Sequence, residues 1–507
     1  MTSSLIEALP GPTGDPVMAP GQHTLARNSV RLPEVIFIAI ATMAPGVGTA
    51  FSLPTGAPFA GSALPGSVVV ALLGCFFVSV AIAELAERIP AAGGMATYIG
   101  RAFHGGLGFL SGWGYAMVYV LALGYLALLS GDLLGSSMPA VFGGGYGLWA
   151  VIGIALTILA TFLMQYFGVR FGARTGLILG SIEVVIVLGL SIWMVCAAGG
   201  NNTLTVFYQN VSPGTGYSTG VGIFAGSIFA FLAFIGFDAA APLGEEAVNP
   251  RKTVKRAVIG STLLVGVFYA FATYASVVYF GPHKFATFQS AGNGNPWGLM
   301  AQQLCGVTGR FVLLVAFLNS SIACSNGCAT ALTRTIWAMG RSGSLPRVFA
   351  ITHPKHKSPT AAIYLAMGIA VLLCLFFGLK FGTVGGYSWI GTAQGIGILP
   401  IYGAVAVACP VFMLRYHRAE FKVFRHLILP ALGVVCLVPA FFVGCGIPVF
   451  KFITPLTYPL NYCAPFVALF WLAGVALIVF HQKRNPATLH AMAHVFEDPL
   501  APAEAAA

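Results

Sequence analysis

The stretch AFLAFIGFDAAAPLGEEAVNPRK, residues 230–252, places a carboxylate inside a run that otherwise suits hydrocarbon. Eight apolar or small residues lead to Asp238, Gly236 and Pro242 flank it, and two glutamates and a cationic cluster close the stretch. Glycine weakens a helix interior and proline removes a donor, so a helix running through this segment is expected to come apart near the acid. At bilayer depth, unpaired backbone is tolerated only where it lines a cavity or is packed against protein.

The surrounding chain supplies that bilayer. Of 507 residues, 57% are hydrophobic and 8% charged, against about 25% charged in a soluble domain. Uncharged windows such as Pro65–Ala83, Gly147–Val169 and Phe381–Leu414 exceed the roughly 18 residues that mark a membrane helix. Hydropathy gives an all-α polytopic protein with twelve spans, near 34–58, 65–86, 107–130, 147–167, 175–198, 219–244, 255–280, 306–338, 359–379, 384–413, 425–447 and 460–481.

The formal net charge of +11 would suggest nucleic acid only if the cations formed a stripe. They alternate between loops instead. With both termini cytoplasmic, 21 of the 25 Lys and Arg fall on that side, leaving Lys284, Arg310, Lys380 and Lys451 opposite. Short loops of a membrane protein obey this bias. The expected partners are the lipid bilayer of the cell membrane and a small molecule, with no nucleic acid; oligomeric state is not legible. Residues 1–30 read as a short disordered cytoplasmic arm and 485–507 as a matching tail.

A second interruption lies five spans before the first. Residues 34–61, EVIFIAIATMAPGVGTAFSLPTGAPFAG, carry Pro45, Gly46 and Gly48 at mid-span. An odd offset makes spans one and six enter from opposite sides, as inverted repeats require, and matched interruptions point to a transporter's central site.

Four segments carry a resemblance to the amino acid–polyamine–organocation transporter family. They are APGVGTAFSLP (44–54), AELAERIPAAGGMATYIGRAFHGGLGFLSGW (83–113), LAFIGFDAAAPLGEEAVNPRKTVKRA (232–257) and RTIWAMGRSGSLP (334–346). The resemblance implies a five-plus-five inverted-repeat core, with repeats at 31–200 and 201–415 and two peripheral helices at 416–484. Val47 stands where some members have a hydroxyl, and Met95 where an aromatic is usual.

A helix broken at mid-membrane presents bare N–H groups at one new end and bare C=O groups at the other. Two such breaks side by side suit a zwitterion. The resemblance implies that the Val47, Gly48 and Thr49 amides take a carboxylate, and that the Ala44, Leu232 and Ile235 carbonyls take an ammonium. Asp238 and Glu183 are the acids buried in spans. Asp238 is read as a cap on the second half-helix, a favoured role for Asp, or as a proton carrier. Glu183, with no cation in its own span, is read as a proton carrier or as a neutral structural acid. Some family members place a lysine on the fifth span; this one has none.

Other residues invite weaker readings. Ser320 and Ser321 could help hold sodium, though bonding between helices is the reading favoured for them. Cys324 and Cys328 sit four apart without His or carboxylate company and are read as packing, and no metal or other cofactor is expected. Glu245, Glu246 and the cluster Arg251, Lys252, Lys255 and Arg256 could form a gate with Glu84, Glu87 or Arg88, or a solvated rim. Trp113, Tyr115, Tyr119, Trp389 and Tyr402 could border a substrate. The function expected is secondary active transport of an amino acid or related amine, proton-coupled, with sodium as the other candidate ion. An obligate exchanger is the alternative. An intramembrane enzyme lacks a paired nucleophile and base or an H-E-x-x-H motif.

Overall fold

The computed structural model describes residues 25–484. Among them all regular secondary structure is helical, apart from one isolated bridge between Val30 and Ala247. Ten stretches are long and apolar enough to cross a bilayer. Two of these, Leu32–Arg88 and the helix Thr360–Tyr416, run to 57 residues. That is about 85 Å at 1.5 Å per residue, far beyond a hydrocarbon core of about 30 Å. Each is divided: the first at Met43–Ala44 and again at Gly61, the second at Gly382. Cut at Gly61 and Gly382 alone, the ten stretches give twelve segments, and Met43–Ala44 interrupts the first of them. Span eight likewise starts at a backbone kink at Gly306, inside the helix Pro296–Arg341.

Packing separates a core from a lipid-facing shell. Span three, Gly105–Ser137, is largely buried, while span four, Tyr146–Tyr166, and span twelve, Cys463–Arg484, turn residues such as Val151, Leu159, Leu469 and Leu472 outward. Span two lies along span seven, and span three along span eight. Span three also packs on span ten as span eight packs on span five, and span two on span six as span seven on span one. Shifting span numbers by five maps each of these pairings onto itself or onto its counterpart.

The beginning of the described chain departs from expectation. Leu25 and Val30 are buried, and the Ser29 and Val30 amides both donate to the Glu246 carbonyl. The segment 25–30 therefore packs beneath the loop between spans six and seven, where its backbone finds partners that composition does not reveal. The rest of the expected arm and the expected tail lie outside the described residues.

Candidate binding cavity

The two interruptions meet at the centre of the molecule. Span one is helical over Leu32–Thr42, and helix resumes at Pro45. Between them Ala44 takes a left-handed conformation at φ 48°, which costs an L-residue without glycine's freedom. Pro45 then serves as the first residue of the second half, where its missing N–H matters least. Span six is helical over Thr219–Ala233, loosens through Phe234–Gly236, and continues as a tight turn of helix over Phe237–Leu243. Gly236 has φ 120°, and a Cβ there would lie 2.7 Å from the Thr42 carbonyl oxygen. Only glycine lets these two breaks pack so closely.

Tyr269 of span seven ties them together. Its hydroxyl donates to the Met43 carbonyl at 2.6 Å and lies 3.1 Å from the Ala233 carbonyl. One proton thus faces the open ends of both first halves. Opposite, a Cβ on Gly48 would come within 2.1 Å of the same hydroxyl.

A cavity of about 570 Å³ lies against the breaks. Ala44, Val47, Gly48, Leu232 and Ile235 line it. Thr49 does not: it is buried in the second half-helix, its hydroxyl donating to the Pro45 carbonyl at 2.7 Å. Two of the three amides expected to hold an anion already have protein acceptors. Val47 N–H donates to Ser320 Oγ at 3.2 Å and Gly48 N–H to the Ala44 carbonyl at 2.7 Å. The Ala44 and Leu232 carbonyls each accept a backbone N–H, and a carbonyl oxygen keeps a second lone pair for a cation.

Among the described residues, no Asp, Glu, Lys, Arg or His lines the cavity. Phe51, Phe59, Leu126, Phe229, Leu232 and Ile235 give it an apolar wall, and Thr42, Ser52, Tyr119 and Thr392 supply neutral polar groups. Gln289 and Thr454 border it from loops on the face opposite the cation-rich loops, so the cavity extends toward that face. Of the five aromatics singled out from sequence, Tyr119 lines it. Trp113 stacks on Phe470, and Trp389 packs on Phe377 and Phe466.

Tyr115 and Tyr402 lie behind the cavity, on Asp238. That carboxylate is fully buried and accepts from three phenols: Tyr115 at 2.6 Å, Tyr119 at 2.9 Å and Tyr402 at 2.5 Å. Tyr402 in turn accepts the Gly236 N–H at 3.3 Å. The cap expected at Asp238 is therefore not what its side chain makes. Gly236 caps the tight helix through its backbone, and Asp238 clamps span six to spans three and ten. Three donors on one carboxylate suit a group that only accepts.

Glu183 is placed differently. It too is fully buried, beside the Ser320 hydroxyl and the Gly46 amide, yet neither carboxyl oxygen closes a hydrogen bond. Ser320 thus stands between Glu183 and the Val47 amide at the start of the second half-helix. The neighbouring Ser321 hydroxyl is buried without a partner.

On the cation-rich face, ion pairs close the protein. Buried Glu84 holds Arg88 at 3.0 Å, Lys255 at 3.3 Å, His426 at 3.2 Å and Arg425. Arg88 reaches on to exposed Glu420, whose carboxyl it holds below its ordinary value. Glu245 pairs with Arg341 at 2.8 Å. Glu246 pairs with Arg334 at 2.9 Å with both side chains buried, and Gln165 accepts from the same guanidinium. Burial pushes the Glu246 carboxyl upward, and the Arg334 guanidinium opposes it. The acids and Lys255 were legible as a possible gate. Tyr269, Gln165, Arg334 and Arg425 were not, because nothing local marks a partner more than 80 residues away.

Comparison with known proteins agrees with this architecture. A family model described as amino acid permease matches residues 31–474. The branched-chain amino acid permease BcaP of Lactococcus lactis is 29% identical, over 78% of this chain and 86% of its own length. BcaP of Bacillus subtilis is 27% identical, over 77% and 83%. The serine/threonine exchanger SteT of Bacillus subtilis is 28% identical, over 71% and 77%. A mutant manganese transporter of Eremococcus coleocola shares the fold, with a TM-score of 0.56 at 13% identity over 92% of this chain and 94% of that one.

Proposed function

Because the chain belongs to the amino acid permease family, and is thus a secondary transporter of an amino acid or related amine and not an enzyme, we propose that its substrate is an amino acid with a neutral, apolar side chain, the branched-chain type. One observation carries this reading: a cavity of about 570 Å³ with no Asp, Glu, Lys, Arg or His among the described residues on its wall, set against two broken helices. The size falls in the usual range for small-molecule sites. A charged substrate side chain would enter it without a counter-charge, at a steep desolvation cost. An aliphatic side chain would bury against Phe51, Phe59, Leu126 and Phe229. Its ammonium meets the second lone pairs of the Ala44, Leu232 and Ile235 carbonyls. Its carboxylate competes with Ser320 and the Ala44 carbonyl for the Val47 and Gly48 amides. The likeness to two branched-chain permeases points the same way.

The coupling ion in this reading is the proton, carried by Glu183. An ionised carboxylate at full burial with unpartnered oxygens is costly, so protonation and release at this residue can bias the Ser320–Val47 contact and with it the break in span one. Sodium at Ser320 and Ser321 is the competing assignment. Alternating access then means closing the cavity on its open face and parting the Glu84, Glu245 and Glu246 ion pairs on the other. Spans one, two, six and seven, which pack on one another, move against the spans around them, in the cell membrane, with the cation-rich loops and both termini in the cytoplasm.

The test is uptake by purified protein in liposomes. Labelled leucine, isoleucine and valine accumulate under an inward proton gradient, and serine and putrescine much less. Putrescine in preference to leucine overturns the substrate assignment. Accumulation that follows sodium and ignores pH overturns the ion. Flux only into liposomes preloaded with amino acid makes the protein an exchanger.

A further inference from the structure

We infer that Cys324 and Cys328 form a dithiol site in the cavity wall that captures a trivalent arsenical. Both side chains line the cavity, and their sulfurs stand 3.9 Å apart. The Cys324 thiol also donates to the Thr42 carbonyl, at 3.1 Å, where the first half of span one ends. The site therefore touches the same break that the cavity is built on.

Helix geometry decides what this pair can bind. Residues four apart on a helix have Cβ atoms about 5–6 Å apart, whereas a disulfide needs about 3.5–4.5 Å between them. A direct sulfur–sulfur bond would require span eight to unwind, and that span is buried along this stretch. One bridging atom needs no such change. The bridging atom must be thiophilic, because soft sulfur ligands select soft partners. It must also be content with two protein ligands, since no group of three His, Cys, Asp or Glu gathers among the described residues. Trivalent arsenic meets both conditions.

The chemistry balances without an oxidant. An organoarsenic(III) oxide forms two As–S bonds to Cys324 and Cys328, and its oxygen leaves as water with the two thiol protons. Arsenic stays trivalent. The Cys324 proton lost in this step is the one the Thr42 carbonyl accepts, so capture removes a donor from the break. The organic group is left in the cavity. Once one sulfur is attached, the helix holds the second at high effective concentration, which a free monothiol cannot match. The inference depends on the cavity and not on what the cavity carries.

Intact-mass measurement tests it on full-length purified protein treated with phenylarsine oxide in excess glutathione. The wild type is expected to gain one phenylarsenic group per chain, stable to glutathione and removed by dimercaptopropanol. Cys324→Ser and Cys328→Ser each lose the adduct. Cys75→Ser, which alters a buried thiol away from the cavity, keeps it. An adduct that persists in either serine variant at 324 or 328, or no adduct on folded wild type, overturns the site.

Discussion

The Tyr269 hydroxyl sits 2.6 Å from the Met43 carbonyl and 3.1 Å from that of Ala233, so one side chain of span seven holds the loose ends of spans one and six. Four residues past the Ala44 turn, Gly48 leaves the room this hydroxyl occupies. The central site is thus a joint made by a phenol between two peptide ends. It is not a pair of breaks left empty.

Removing that hydroxyl separates its role from packing. Tyr269→Phe keeps the ring against Phe234 and deletes one hydrogen bond, a loss of about 0.5–1.5 kcal/mol. The expected result is a substrate affinity lower by up to about tenfold, with the protein still folded, read as the half-saturation of uptake. Gly48→Ala is expected to be far worse. Its methyl overlaps the hydroxyl, and in the Gly48→Ala, Tyr269→Phe pair the ring carbon still lies only 2.8 Å away. The pair should therefore recover part of the activity and not all of it.

Asp238 as a clamp makes a second prediction, distinct from Asp238 as a proton carrier. Asp238→Asn replaces one acceptor oxygen with a donor in front of phenols that already donate, and leaves at least one buried O–H unmet, at about 1–3 kcal/mol. Slower uptake and a lower unfolding temperature are expected, while the remaining flux keeps its dependence on the proton gradient. Tyr402→Phe is expected to reproduce the defect more mildly, since it removes one donor to Asp238 and the acceptor for the Gly236 amide. Loss of gradient dependence in Asp238→Asn would return the proton to this residue.

Glu183→Gln addresses the same question from the other acid. Glutamine keeps the shape and cannot titrate, so gradient-driven accumulation of leucine is expected to fall to the level of simple equilibration. Exchange between labelled leucine outside and unlabelled leucine inside continues, because that cycle needs no net proton movement. Accumulation at the wild-type level in Glu183→Gln sinks the coupling assignment.

How far the sequence reaches can be seen at these residues. Pro45, Gly46 and Gly236 marked both interruptions because glycine and proline act on the local backbone, and the structure moves the first break only to Met43–Ala44. Gly306 and Gly382 fall where hydropathy started span eight and divided spans nine and ten. What surrounds the breaks was less legible. Asp238 stood out, but its clamp uses Tyr115, Tyr119 and Tyr402, more than 110 residues distant on either side. A tyrosine in a span looks the same whether it faces lipid, a cavity or a carboxylate. The amides of Val47 and Gly48 were legible as free ends of a helix, yet a serine 273 residues away and the left-handed turn at Ala44 satisfy them.

The pair between Arg334 and Glu246 offers a prediction whose sign depends on pH. Both side chains are buried, so removing the cation leaves a carboxylate without its main counter-charge, at about 3–5 kcal/mol. In Arg334→Met only burial and neighbouring Glu245 act strongly on Glu246, and both raise its folded-state pKa above the unfolded one. Folding of the variant then takes up a proton. Its stability is fullest below the unfolded pKa and declines as pH rises through the folded one. Thermal unfolding of purified Arg334→Met is therefore expected to lie nearer the wild type at about pH 5 and furthest below it at about pH 8. Adding Glu246→Gln removes the stranded charge, so the double variant should recover stability at the higher pH and lose the pH dependence. An Arg334→Met deficit that is the same at both pH values would mean that the guanidinium acts through Gln165 and packing instead of through this carboxylate.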